Sequence, residues 1–177
     1  MNAPMLGIPY DDFGPNISAA AAAYSTTVVN TVLFEVLGFS VTVANVLWDL
    51  VTPQAASHVG FGIYAVTDGS ATRGARLADT GPVSSAAGTL KTTPFLAPVT
   101  LPCGIYCMAF TTDNAAVSVM SVTPGGAGVT TLNVYNQTPE VFLGTAANAA
   151  AGGQLPPTLG LITGVGGLKF PTIMLSN

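Results

Sequence analysis

Between His58 and Asp113 stand three short phrases, HVGFGIY, LADTG and APVTLPCGIYCMAF, each of which reads as a β-strand or its turn, a grammar that confines the chain to β-structure. In HVGFGIY, Val59, Phe61 and Ile63 fall on one side of an extended chain, and Gly60, Gly62 and Tyr64 fall on the other. LADTG follows as a short strand and its turn, and FLAPVTLPCGIYCMAF runs through a Leu-Pro-Cys-Gly turn into a strong strand from Ile105 to Thr111. Further strands are expected at Val28 to Val36, Phe39 to Val51, Leu77 to Thr80, Val117 to Val122 and Val129 to Tyr135. Another at Thr89 to Leu96 belongs near a sheet edge, because Pro94 cannot donate to a ladder. Alternation in the second of these strands changes parity between Val43 and Val46, which predicts a bulge near Ala44 and Asn45. About eight strands at roughly ten- to fifteen-residue spacing make the expected fold all-β, a two-sheet antiparallel jelly-roll sandwich.

The sandwich is expected over residues 26–135. Ahead of it, residues 1–25 read as an extended arm and a short Ala-rich spacer. Pro4, Gly7, Pro9, Gly14 and Pro15 deny the arm a regular helix or central strand. Its hydrophobes Met5, Leu6, Ile8, Tyr10 and Phe13 suit a groove on a neighbouring subunit or on its own sandwich, since a disordered tail is normally polar. Ser18 before five alanines reads as the cap of a single helical turn or as a plain spacer. Residues 136–177 form a loop-rich segment: Asn136 to Gln154 is Ala-rich and turn-forming, LPPTLG leads into a Gly-rich loop, and LKFPTIML is a terminal strand. That strand lacks the charges that usually protect an edge, so it pairs with a neighbour or closes the sandwich. Phe170, Ile173 and Leu175 therefore join the five arm hydrophobes as candidate subunit contacts.

Charge sets the second constraint. Asp, Glu, Lys and Arg make up 7% of the 177 residues, where soluble domains average about 25%. Too few ionic side chains are present to cover a free-standing surface, so much of the exterior is expected to lie against other protein chains. Symmetric closure favours a homotrimer around a local three-fold axis, with a dimer or a pentamer as alternatives the residues leave open. Eight acids against four bases give no basic stripe for a phosphate backbone, which argues against nucleic acid. The most apolar stretch, Thr26 to Val51, is interrupted by Asn30, Glu35, Asn45 and Asp49, and no Lys or Arg precedes an apolar core at the N-terminus. Neither a membrane span nor a secretory signal is expected.

The residues offer no catalytic or metal-binding constellation. Cys103 and Cys107, four apart on one strand, would stand about 13 Å apart on the same face, beyond the reach of a disulfide. Two reduced, half-buried thiols are expected. His58, the sole histidine, reads as a solvated or hydrogen-bonded strand-end residue rather than a base or a ligand. Of the acids only Asp11 and Asp12 adjoin, and on an extended chain they face opposite ways. Trp48 shares parity with Val46 and Leu50 and reads as a core anchor, with an aromatic carbohydrate platform as the alternative. No cofactor is implied.

At HVGFGIY, LADTGPV, FLAPVTLPCGIYCMAF and the closing LPPTLG, the chain resembles the jelly-roll modules of tailed-bacteriophage virion proteins: capsid decoration proteins, head spikes and tail fibres. The resemblance covers roughly residues 30 to 135 and carries no catalytic residues. It implies a virion structural protein, foremost a capsid decoration or cement protein on the capsid surface. Such a protein is made in the host cytoplasm and contacts itself and the major capsid protein. A chain that starts at Met1 with no shaft before the module fits this role better than a fibre. The alternative implied is a tail-fibre or head-spike module that recognises a host surface glycan through loops such as Thr67 to Arg76 and Asn136 to Gln154. A cellular carbohydrate-binding sandwich is a further rival, dependent on Trp48.

Overall fold

The computed structural model describes residues 6–7, 18–66, 73–123, 131–132, 140–141, 143–148, 150, 152–164 and 169–177. They form two antiparallel sheets packed as a β-sandwich, with no helix among them. Within it, four strand pairs nest inside one another. β2 (Ser18–Ala23) pairs with β10 (Ser118–Thr123), and β3 (Val28–Val36) with β9 (Gly104–Thr112). β4 (Val41–Thr52) pairs with β8 (Leu90–Leu101), and β5 (His58–Val66) with β6 (Arg73–Asp79) and β7 (Val83–Ser84) in succession. The nest folds over so that β2, β10, β4 and β8 lie in one sheet and β3, β9, β5 and β6 in the other.

The flanking segments contribute strands as well. Ser18 to Ala23 is a strand, not the helical turn or spacer expected. Alanine side chains give no period to read, and the backbone of β10 offers six partners to an edge strand there. From the C-terminal segment, β13 (Leu143–Ala147) extends the second sheet beside β3, and β14 (Thr163–Gly164) pairs with β13. β11 (Thr131–Leu132) and β12 (Glu140–Val141) form a small ladder of their own. β15 (Phe170–Pro171) pairs with β10, and β16 (Ile173–Ser176) pairs with β4. The last strand thus fills the gap where β4 and β10 part, which closes the chain's own sandwich. β1 (Leu6–Gly7) pairs with the far side of β16, Leu6 opposite Leu175.

The expected bulge is present: pairing of β4 with β8 shifts register between Val43 and Asn45. It keeps Val43, Val46, Trp48 and Leu50 all facing inward, each at most 2% exposed. Their partners across the core are Phe61 and Phe110, opposite each other on β5 and β9. Ring centroids lie 5.1 Å apart for Trp48 and Phe61, 5.2 Å for Phe61 and Phe110, and 4.9 Å for Phe110 and Tyr24. Trp48 donates its Nε1–H to Thr93 Oγ1 at 2.9 Å, so the indole is buried with its polar atom satisfied.

The outer face of the second sheet is buried too. Register places Gly60, Gly62 and Tyr64 beside Thr111, Ala109 and Cys107, and these beside Thr31 and Leu33. Over the β5 part of this face lies the segment from Gly152 to Pro157. Leu155, Leu159 and Ile162 are buried with the main core. The two strand glycines make the approach possible. A Cβ on Gly60 would stand 2.2 Å from the Gly153 carbonyl oxygen, and one on Gly62 would stand 2.6 Å from Leu155 Cδ1. The glycines that alternate in HVGFGIY are a lane for LPPTLG.

Candidate assembly surface

Two ion pairs among the described residues tie segments of the fold together. His58 Nδ1 lies 3.0 Å from Asp113 Oδ2, and the His58 backbone N–H donates to Asp113 Oδ1 at 2.7 Å. The Asp113 N–H returns a bond to the His58 carbonyl oxygen at 3.1 Å. This two-sided clasp fixes the start of β5 against the end of β9. Among the described residues no hydroxyl or thiol is bonded to the imidazole: neighbouring Ser57 donates to the Gln54 carbonyl and shares a 2.6 Å bond with Ser85 Oγ, and the Thr112 hydroxyl donates to the His58 backbone carbonyl. Among the described residues no three His, Cys, Asp or Glu side chains are grouped as metal ligands.

Arg76 and Asp79, at the edge of the second sheet, form a second clasp. The guanidinium Nε meets Asp79 Oδ2 at 2.6 Å, while Nη1 donates to the Leu155 carbonyl oxygen. The Arg76 backbone N–H donates to the Pro157 carbonyl oxygen at 2.9 Å. Tyr64 completes the set, its hydroxyl donating to the Pro156 carbonyl oxygen. Burial raises the Tyr64 pKa above its ordinary 10.0, so the hydroxyl remains a donor throughout the physiological range. Three successive carbonyls of the C-terminal segment are thereby held from below. Arg73 to Arg76, expected in a loop, belong to strand β6. Thr67 to Thr72 lie outside the described residues.

The thiols differ from one another. Neither is in a disulfide, but Cys103 is exposed in the turn before β9 and Cys107 is fully buried. The expectation of two half-buried thiols on one face fails because β9 begins at Gly104, one residue too late to hold Cys103. Trp48, 1% exposed, has Phe61 beside it and the Lys91 ammonium 5.2 Å over its ring. It presents no platform for a sugar.

Of the candidate contact residues, Phe170, Ile173 and Leu175 are 1%, 4% and 5% exposed and pack in the chain's own core. They become core because β15 and β16 are inserted in the first sheet. Leu6 is brought to the same place, paired through its backbone with Leu175. Met5, Ile8, Tyr10 and Phe13 lie outside the described residues.

The large apolar side chains that do reach solvent lie elsewhere. Leu37 and Phe39, 65% and 63% exposed, flank Gly38 at the tip between β3 and β4, where φ of +78° suits glycine. Leu90 and Leu96 on β8 are 66% and 77% exposed, Leu161 is 65% exposed, and Val51 and Leu77 are half-exposed. Val51, Leu77, Leu90 and Leu96 have the opposite parity to the buried residues beside them, and Leu37, Phe39 and Leu161 lie outside the long strands, where no period marks a side chain as inward or outward. No family model and no curated protein matches this chain.

Proposed function

We propose that this chain is a bacteriophage virion structural protein, a capsid decoration or cement protein that stabilises a head shell by bridging subunits. The observation that carries the reading is a chain poor in charge, 7% of its residues, from whose surface large leucines and a phenylalanine protrude. Such a surface is suited to burial against other chains. The nested pairing of β2 with β10, β3 with β9, β4 with β8 and β5 with β6 supports assigning the sandwich to the jelly-roll class, the fold of the resemblance. In this reading residues 1–16 are an arm that grips a neighbouring subunit, with β1 as its anchor point on the sheet.

Cementing requires only that apolar area leave water at joints in the shell, at about 25 cal/mol per Å². A small contact suffices when symmetry repeats it over a particle. The buried Trp48 removes the aromatic ring on which a carbohydrate-binding reading depended.

The test is deletion of residues 1–16. The truncated chain is expected to keep its sandwich by circular dichroism and to lose incorporation into particles. Normal occupancy on purified virions would refute the cementing role for the arm. Binding to host cells without affinity for capsids would favour the receptor-binding alternative.

A further inference from the structure

The two outer faces of the sandwich differ in a way that the virion reading does not use. The second sheet has its outer face buried in part by the chain's own segment from Gly152 to Pro157. The outer face of the first sheet has no such layer among the described residues. Register puts Leu47 and Val51 of β4, Leu90 of β8, Met174 of β16 and Met120 of β10 on it. Val51 and Leu90 are 41% and 66% exposed. Asp49 is the one ionisable side chain that the described strands place on this face.

We propose that this face is a self-association surface, on which a second copy of the chain packs sheet to sheet about a two-fold axis. Its size supports that occupant. The described strands of this sheet, β1, β2, β4, β8, β10, β15 and β16, hold 44 residues, and at roughly 3.4 Å along a strand and 4.8 Å across it each covers about 16 Å². The whole face, roughly 720 Å², comes close to the ~800 Å² per partner of a standard stable interface.

Shape supports it as well. Twisted sheets pack face to face at a small angle through interdigitating side chains, as the two sheets within this chain do, so a sheet face is generically complementary to its own copy. The two methionines add side chains that adapt to an imperfect fit. Charge permits the pairing: with the axis crossing the strands near Leu47, the two Asp49 carboxylates stand about 14 Å apart, beyond the ~8 Å screening length of physiological salt. The contact follows from the sheet alone and holds whether or not the chain belongs to a virion.

Sedimentation equilibrium on the full chain tests it, in a Cys103→Ser background that prevents disulfide cross-linking. The expected mass is that of two copies. Val51→Lys and Leu90→Lys together, both at exposed positions, are expected to weaken the dimer by about tenfold or more and leave the melting curve of the monomer fold in place. Leu161→Lys, outside this face, is expected to leave the mass unchanged. A monomer, a three-copy species, or a dimer indifferent to Val51→Lys and Leu90→Lys would overturn the proposal. So would dissociation by Leu161→Lys alone.

Discussion

The Tyr64 hydroxyl on β5 donates to the Pro156 carbonyl oxygen at 2.5 Å, joining residues 92 apart in sequence. Beside it the Arg76 guanidinium holds the Leu155 carbonyl. Tyr64→Phe removes the donor and leaves a partly buried carbonyl without it, at a cost of about 1–2 kcal/mol. For a chain of this size that lowers the melting temperature by about 3–6 °C. Differential scanning calorimetry checks it, and an unchanged transition would mean that the bond contributes nothing.

Gly60→Ala is expected to be more damaging than its one added carbon suggests. The new Cβ would meet the Gly153 carbonyl oxygen at 2.2 Å, and the obstacle is backbone, so the C-terminal segment must lift. A loss of about 2–3 kcal/mol is expected. Limited proteolysis should find new cleavage within residues 148–164. Gly160→Ala, with nothing within 4 Å of its Cβ position, is the neutral control.

The two thiols should react in separate phases. Cys103 is exposed, and Cys107 is fully buried between its cross-strand neighbours Leu33 and Tyr64 in the second sheet. One equivalent of a thiol reagent is expected to react at once in native protein, and the second only on addition of denaturant. Two rapid equivalents would contradict the burial of Cys107.

Stability should fall on the alkaline side. Tyr24 and Tyr64 are both buried, and desolvation raises their pKa values above the ordinary 10.0. The folded state therefore keeps protons that the unfolded chain releases above pH 10.0, and stability declines with pH from there. Below that value the contribution is fully present. Lys91 acts with the opposite sign, since burial lowers its pKa and its desolvation cost is relieved as pH rises toward 10.5. Urea titrations at several alkaline pH values measure the balance. Tyr24→Phe is expected to shallow the decline, and an identical slope in that variant would remove Tyr24 as a cause.

Much of the central fold was legible because it rests on side-chain period. Val43 and Val46 announced the bulge, Pro94 announced an edge strand, and Trp48 announced the core. What escaped was held by backbone. The alanines of β2 carry no pattern, and their place follows from the ladder offered by β10. The segment from Gly153 to Pro157 has no period, because its ties are carbonyl oxygens taken up by Tyr64 and Arg76. Its one signal lay in another part of the chain, the glycines at 60 and 62, whose missing side chains were visible but whose visitor was not. The terminal strand offered two readings, and its neighbours β4 and β10 decide for the internal one. The same insertion withdrew Phe170, Ile173 and Leu175 from the surface where an unpaired strand would have shown them.

The placement of β15 and β16 between β4 and β10 also sets an order of events at the ribosome. Residues 170 to 176 are made after all the other described strands, yet they fill the middle of a sheet whose remaining strands are by then complete. Until they emerge, the nascent chain carries an open seam between β4 and β10, and only the arrival of β15 and β16 zips that seam shut.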